Sequence, residues 1–199
     1  MSSSGGAERD AKSALRATML GRRMAIDPDV VRAASARLAE RVTLLPEFKA
    51  AETVLAYLAL PQEAQTERII ECAWLAGKQV AVPAARLDRE YVPVWVKPGD
   101  AVATARFGVR EPVVQVPAKP DRFDLVIVPG VAFTGSGARL GHGKGFYDRL
   151  LARLGARVRC KMGLCLDFQV VPAIPVTERD VGMDVVVTED RVYRSPGTV

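Results

Sequence analysis

Residues Val128 to Arg153 read VPGVAFTGSGARLGHGKGFYDRLLAR, and this stretch sets the expectation for the whole chain. At its start, Leu125-Val126-Ile127-Val128 is a continuous apolar run, as a strand buried on both faces requires. Pro129-Gly130 stops that strand. Downstream, Tyr147, Leu150, Leu151 and Leu154 recur at i, i+3, i+4 and i+7, one face of an amphipathic helix. Between strand and helix, Gly135, Gly137, Gly141, Gly143 and Gly145 leave the backbone bare enough for a ligand to approach closely. A bare backbone running into a helix N-terminus offers free N–H groups and a positive dipole end, which suits phosphate. Lys144 adds a mobile cation and Arg139 a second one.

Neither of the two common phosphate loops is present. A Walker loop needs Ser or Thr after its Gly-Lys, whereas Lys144 is followed by Gly145. The dinucleotide fingerprint fails because Gly141-His142-Gly143 runs on into Lys144-Gly145-Phe146. The bland alternative is a glycine-rich hinge carrying cations by chance. Asp148, one turn into the helix, has its own bland role as an acid favoured by the dipole. Its functional role is a carboxylate ligand for a magnesium ion that also touches phosphate.

The run Arg139-Leu140-Gly141-His142-Gly143-Lys144-Gly145-Phe146-Tyr147-Asp148-Arg149 resembles the R-L-G-x-G-x-G-Y-Y-D signature of the 5-formyltetrahydrofolate cyclo-ligase family, also called methenyltetrahydrofolate synthetases. Further segments share the resemblance. Lys12-Ser13-Ala14-Leu15-Arg16 matches the family's first helix, and Phe107-Gly108-Val109-Arg110-Glu111-Pro112 resembles its aromatic-G-I-x-E-P stretch. Glu178-Arg179-Asp180 stands where the family has an acid, a His and an Asp. Three departures stand out: His142 stands where Arg or another residue is usual, Phe146 replaces the first of two tyrosines, and Arg179 replaces the His.

The resemblance implies ATP and Mg2+ as cofactors. It implies nucleotide contacts from Lys12, Arg16, Arg139, Leu140, Gly141, His142, Gly143, Lys144, Gly145, Phe146 and Tyr147, with Lys144, Arg139 and Tyr147 catalytic. Asp148 and Asp180 are the implied magnesium ligands. Leu58, Glu63, Phe107 and Phe146 are the implied substrate contacts, Glu63 as the acid that binds the pterin.

Composition bounds the rest. At 199 residues, with 49% hydrophobic and 26% charged residues, the chain suits one α/β domain with a substantial core. No uncharged apolar stretch approaches the roughly 18 residues that a membrane-crossing helix needs. Cys72, Cys160 and Cys165 form no C-x-x-C pair, which points to reduced thiols and a cytoplasmic location. The net charge is +5, and residues 1–24 contribute +3 of it. That end could attract nucleic acid or a small polyanion such as ATP. With no helix-turn-helix or RNA-binding signal, the small polyanion is the expectation and nucleic acid is not.

In chain order, residues 1–10 read as a flexible tail and 11–190 as a single α/β ATP- and folate-binding domain. Residues 191–199 read as a frayed end. Lys12, Arg16 and Arg23 fall on nearly one side of a helix over residues 8–25; the bland reading of that side is a solvated basic face. Asp27-Pro28 starts a helix whose apolar stripe is Val31, Ala34, Leu38 and Val42. Thr53 to Leu60 reads as a strand, Thr66 as a helix cap, and Gln79 to Pro83 as the next strand. Tyr91 to Val96 carries Pro93 and is expected at an edge or antiparallel. Strands at Lys161–Leu166 and Asp184–Thr188 follow.

This alternation predicts a three-layer α/β/α, Rossmann-like fold with a mainly parallel sheet, the class the resemblance also implies. The implied activity is ATP-dependent cyclisation of 5-formyltetrahydrofolate to 5,10-methenyltetrahydrofolate by a monomer acting on a small-molecule substrate, polyglutamylated or not. The rival readings are a paralogous ATP-binding protein with another substrate or none, and a nucleic-acid-binding protein.

Overall fold

The apolar run Leu125 to Val128 lies at the middle of the sheet, and the other elements are arranged around it. The computed structural model describes residues 4–85, 90–105 and 108–196. The chain opens with α1 (Ser4–Met24), α2 (Pro28–Leu44) and the short α3 (Pro46–Lys49). β1 (Thr53–Leu55), α4 (Glu67–Leu75), β2 (Gln79–Ala85) and β3 (Tyr91–Val96) follow. Three short strands, β4 (Val102–Thr104), β5 (Arg110–Pro112) and β6 (Val116–Pro117), lead into β7 (Phe123–Pro129). A hairpin of β8 (Ala132–Phe133) and β9 (Arg139–Leu140) precedes α5 (Phe146–Leu154). The chain ends with β10 (Val158–Leu164), β11 (Val185–Val187) and β12 (Val192–Arg194).

The main sheet has the order β12-β11-β10-β7-β1-β2-β3-β6. Its five inner strands, β11 to β2, run parallel, while β12, β3 and β6 are antiparallel additions at the two sides. Alternate residues of β7 enter different cores, as the period of a strand dictates. Leu125 and Ile127 pack with Leu38 of α2 and Ile69 of α4. Val126 and Val128 pack with Leu150, Leu151 and Leu154 of α5. The result is the expected three-layer α/β/α fold. A third cluster joins Met19 of α1 to Val131, Ala132, Leu140 and Ile174, which seats the first helix over the hairpin that follows β7.

Asp27 caps α2 as its sequence predicts, accepting the Asp29 N–H at 2.7 Å, and Val31, Ala34, Leu38 and Val42 are all buried. β3 is antiparallel, in line with Pro93, but β6 lies outside it, so it is not the edge. Other expectations need correction. α1 begins at Ser4, so residues 4–10 are helical rather than a flexible tail. β1 ends at Leu55 instead of Leu60. Beyond it the backbone is diverted by Tyr57, whose hydroxyl donates to the Ala64 carbonyl at 2.7 Å, and by Thr66, whose hydroxyl donates to the Tyr57 carbonyl. Thr66 therefore makes no side-chain cap to α4. Within the expected frayed end, Val192–Arg194 pairs with β11 as a strand.

Gly137, in the β8–β9 turn, sits at φ 92°, and its carbonyl accepts the Met183 N–H at 2.8 Å. A Cβ there would lie 2.2 Å from the Met183 carbonyl oxygen and 2.2 Å from Ser195 Oγ. Both the backbone conformation and a fixed neighbour therefore oppose a side chain. Gly137→Ala is expected to destabilise the fold by about 1–3 kcal/mol. A thermal melt should record a Tm lower by roughly 2–4 °C for each of those kcal/mol.

Candidate active site

In an open parallel sheet, ligands bind beyond the carboxyl ends of the strands where the strand order reverses. Here the reversal falls at β1, between β2 on one side and β7 on the other. A cavity of about 400 Å³ opens there, lined by Tyr57, Leu58 and Leu60 after β1, by Pro129 of β7, and by the glycine loop and start of α5.

The loop is shaped by its glycines. Gly145 takes φ 62° and ψ 21° as the N-cap of α5, a left-handed conformation that suits glycine. It supplies no side-chain cap, so the first N–H groups of α5 keep their donors for another partner. Arg16 Nε donates to the Gly141 carbonyl at 2.8 Å and ties the loop to α1. Lys144 is exposed on the loop.

The basic side of α1 faces inward, not solvent. Lys12 pairs with Asp180, Arg16 reaches Gly141, and Arg23 lies against Glu63 and His142. The reading as a solvated basic face is thereby set aside.

Arg139 and Asp148, expected in separate roles, are bonded to each other. Arg139 Nη2 donates to Asp148 Oδ1 at 2.7 Å, and Nη1 donates to the Pro129 carbonyl at 3.3 Å. The buried guanidinium also lies 5.8 Å from the Tyr147 ring, and its Nε has no hydrogen-bond partner among the described residues. Asp180 is engaged elsewhere. Its Oδ2 accepts from Lys12 Nζ, from the Thr177 N–H at 2.6 Å and from the Thr177 hydroxyl at 2.9 Å. Partial burial alone would raise the Asp180 carboxyl, but the Lys12 and Thr177 hydrogen bonds hold it below the usual carboxylate range.

Among the described residues no cluster of three or more His, Cys, Asp or Glu could cage a metal. Asp148 lines the cavity while Asp180 is not one of its lining residues. One carboxylate beside the loop, Asp148, fits a magnesium ion carried in on phosphate oxygens, which such ions prefer to an all-protein cage.

Glu63, which lines the same cavity, is only 7% exposed. Its Oε2 accepts the Leu60 N–H at 3.0 Å, and its Oε1 lies 3.6 Å from both Arg23 Nη1 and His142 Nε2. Leu58 also lines the cavity, and Phe146 meets Tyr91 with ring centroids 5.0 Å apart. Phe107 lies outside the described residues. Burial first, and the Glu63 carboxylate next, push the Tyr57 and Tyr147 phenols well above their ordinary value. Tyr147 therefore serves the cavity as a neutral hydroxyl and not as a phenolate. Tyr57, Tyr91 and Arg23 were not among the sequence-predicted residues. Nothing local marks the two tyrosines, which read as ordinary strand residues, whereas Arg23 was legible only as sharing a helix side with Lys12 and Arg16.

A cavity lined by both a buried carboxylate and a bare glycine loop can be compared with known proteins. The sequence pattern of the 5-formyltetrahydrofolate cyclo-ligase family matches residues 8–189. The chain belongs to that family. It is 31% identical to the probable 5-formyltetrahydrofolate cyclo-ligase of Schizosaccharomyces pombe, with 92% of this chain and 98% of the relative covered. To the 5-formyltetrahydrofolate cyclo-ligase of Mycolicibacterium smegmatis it is 35% identical, covering 90% and 94%. The solved 5,10-methenyltetrahydrofolate synthetase of Aquifex aeolicus superposes with a TM-score of 0.78 at 34% identity, covering 92% of each chain. Membership makes this chain an enzyme of the cyclo-ligase class and bears out both the resemblance and the fold class.

The buried phenols have a measurable consequence. A phenol raised in the folded state contributes stability that is complete below its unfolded value, about 10. That stability is lost as pH rises through the folded value. Tm followed upward from pH 9 is therefore expected to fall less steeply in Tyr57→Phe and Tyr147→Phe than in the unaltered chain. Parallel curves for all three proteins would remove the two phenols as the cause.

Proposed function

We propose that this chain carries out the ATP-dependent cyclisation of 5-formyltetrahydrofolate to 5,10-methenyltetrahydrofolate, releasing ADP and phosphate. One observation carries the reading: in a chain of this family, the buried Glu63 and the uncapped N-terminus of α5 line one and the same cavity. The pterin lies against Glu63 and Leu58, with Phe146 supplying flat apolar contact. The triphosphate lies along Gly141 to Gly145, beside Leu140, His142, Phe146 and Tyr147, where the N–H groups of α5 and the positive dipole end meet it.

The formyl oxygen attacks the γ-phosphorus as ADP departs, which turns a poor leaving oxygen into a phosphate. N10 then closes on the activated carbon and the C–O bond breaks to release phosphate. The chain contributes position and charge. Lys144 and Arg139 meet charge that develops on the transferred phosphoryl group, and the neutral Tyr147 hydroxyl donates toward it. Arg16 keeps the loop in place, and Lys12 stands ready at its edge. Asp148 would hold Mg2+, which when bound neutralises phosphate charge; Asp180, outside the cavity lining and bonded to Lys12 and Thr177, would join it as a second carboxylate only on leaving those partners. Arg139 occupies Asp148 in the free protein, so metal binding requires that pair to loosen.

Two supports bear on setting. No helix among the described residues is long and apolar enough to cross a membrane, and all three cysteines are free. We place the enzyme in the cytoplasm as a monomer acting on a small folate, polyglutamylated or not, and not on nucleic acid.

Purified protein with 5-formyltetrahydrofolate and Mg-ATP is expected to develop the methenyl chromophore. No absorbance change with both substrates present would overturn the proposal. Lys144→Ala should lower kcat as well as raise the KM for ATP, because its contact strengthens as the phosphoryl group transfers. A KM effect alone would confine Lys144 to ground-state binding. Asp148→Asn should demand more magnesium and recover in part when magnesium is raised. An unaltered magnesium dependence would remove Asp148 from the metal.

A further inference from the structure

Arg23, in the last turn of α1, is 5% exposed, the most buried cation of the inward-facing side of that helix. Its Nη1 lies 3.6 Å from Glu63 Oε1, and its Nη2 lies 3.4 Å from His142 Nε2. Its Nε and Nη1 have no hydrogen-bond partner among the described residues. A guanidinium stays charged at every accessible pH, and burying one with unpaired donors is costly. Neither of its neighbours is incidental: Glu63 lines the cavity on the substrate side, and His142 belongs to the glycine loop.

The geometry of Glu63 shows what the cation can do. The backbone N–H of Leu60 holds Oε2 at 3.0 Å. The other oxygen, Oε1, is approached by Arg23 Nη1 and His142 Nε2, both at 3.6 Å. With one oxygen fixed by backbone and the other facing a planar cation, the carboxylate plane is defined. A defined plane matters for a carboxylate that must accept two parallel N–H donors from the edge of a flat heterocycle.

We infer that Arg23 is a positioning residue for substrate recognition: it balances and orients the Glu63 carboxylate and, through His142, links that carboxylate to the glycine loop. The inference rests on the folate reading of the cavity. Arg23 does not line the cavity, so its effect on the substrate passes through Glu63. It reaches the site only because Met19, one turn earlier, anchors α1 to Val131, Ala132 and Leu140.

The test is steady-state kinetics with each substrate varied at saturation of the other, on Arg23→Met, Arg23→Lys, Glu63→Gln and the double variant Arg23→Met/Glu63→Gln. Arg23→Met is expected to raise the KM for 5-formyltetrahydrofolate by about tenfold or more, because it leaves the buried Glu63 carboxylate without its facing cation. The KM for ATP should stay within about threefold, since the contacts of Arg16 and Lys144 are intact. Arg23→Lys keeps the charge and should recover part of the folate KM. The double variant should bind folate no more weakly than Glu63→Gln alone, because Arg23 acts through that carboxylate.

An unchanged folate KM in folded Arg23→Met, or losses that simply add in the double variant, would overturn the assignment. If a thermal melt shows that Arg23→Met does not fold, Arg23→Lys carries the test. A selective rise in its folate KM supports the role, and an equal loss toward both substrates refutes it. Turnover by the unaltered chain with normal folate KM in the Arg23 variants would defeat only this inference. Absence of any turnover in the unaltered chain would defeat the functional reading and the role of Arg23 with it.

Discussion

Because β7 is packed on both faces and paired with β1 and β10 on its two edges, only its ends can meet a ligand. Polar chemistry is expelled to the carboxyl end, where Pro129 and Gly130 break the strand. The loop side of the site follows from that exit. The β8–β9 hairpin turns back over the strand end and brings Arg139 against the Pro129 carbonyl. The glycine loop then crosses the same end before α5 returns along the sheet, its leucines buried against Val126 and Val128. A right-handed crossover between neighbouring parallel strands leaves the start of its helix at this edge of the sheet.

A second constraint is the fate of positive charge. Four cations, Lys12, Arg16, Arg23 and Arg139, point into the region around the loop, and each is held by an oxygen or lies near one. Buried charge must be paired, so Asp148, Asp180, Glu63 and the Gly141 carbonyl keep those side chains directed inward in the free protein. The site is thus poised for an anion. An incoming polyanion finds cations already in place and needs only to exchange partners with them, which limits the ordering cost of binding.

Much of this was legible along the chain. The β7 run, the glycine loop and α5 declare themselves through local pattern: continuous apolar residues, bare backbone, then a 3.6-residue period. Pro93 announced an antiparallel strand, and Asp27-Pro28 announced the start of α2, because proline and capping chemistry act within a few residues. The length of β1 was misjudged for a related reason. Its apolar residues continue to Leu60, yet hydrogen bonds from Tyr57 and Thr66 bend the backbone away, and those depend on side chains meeting across a loop.

The sequence by itself determined the fold class, the identity of the phosphate-suited loop and the family, since each rests on order and spacing along one segment. Only the tertiary structure decided which charge meets which. Lys12 and Asp180 are 168 positions apart, and no periodicity links them. Arg139 could as well have faced the cavity alone; the hairpin's register against α5 set it on Asp148. Arg23 read as part of a basic helix side with Lys12 and Arg16, whose partners no spacing could name; the anchoring of α1 through Met19 sets it beside Glu63, while Arg22 is exposed. Local pattern records what a segment can form, whereas pairing between distant charges depends on how whole elements are oriented by the cores they share.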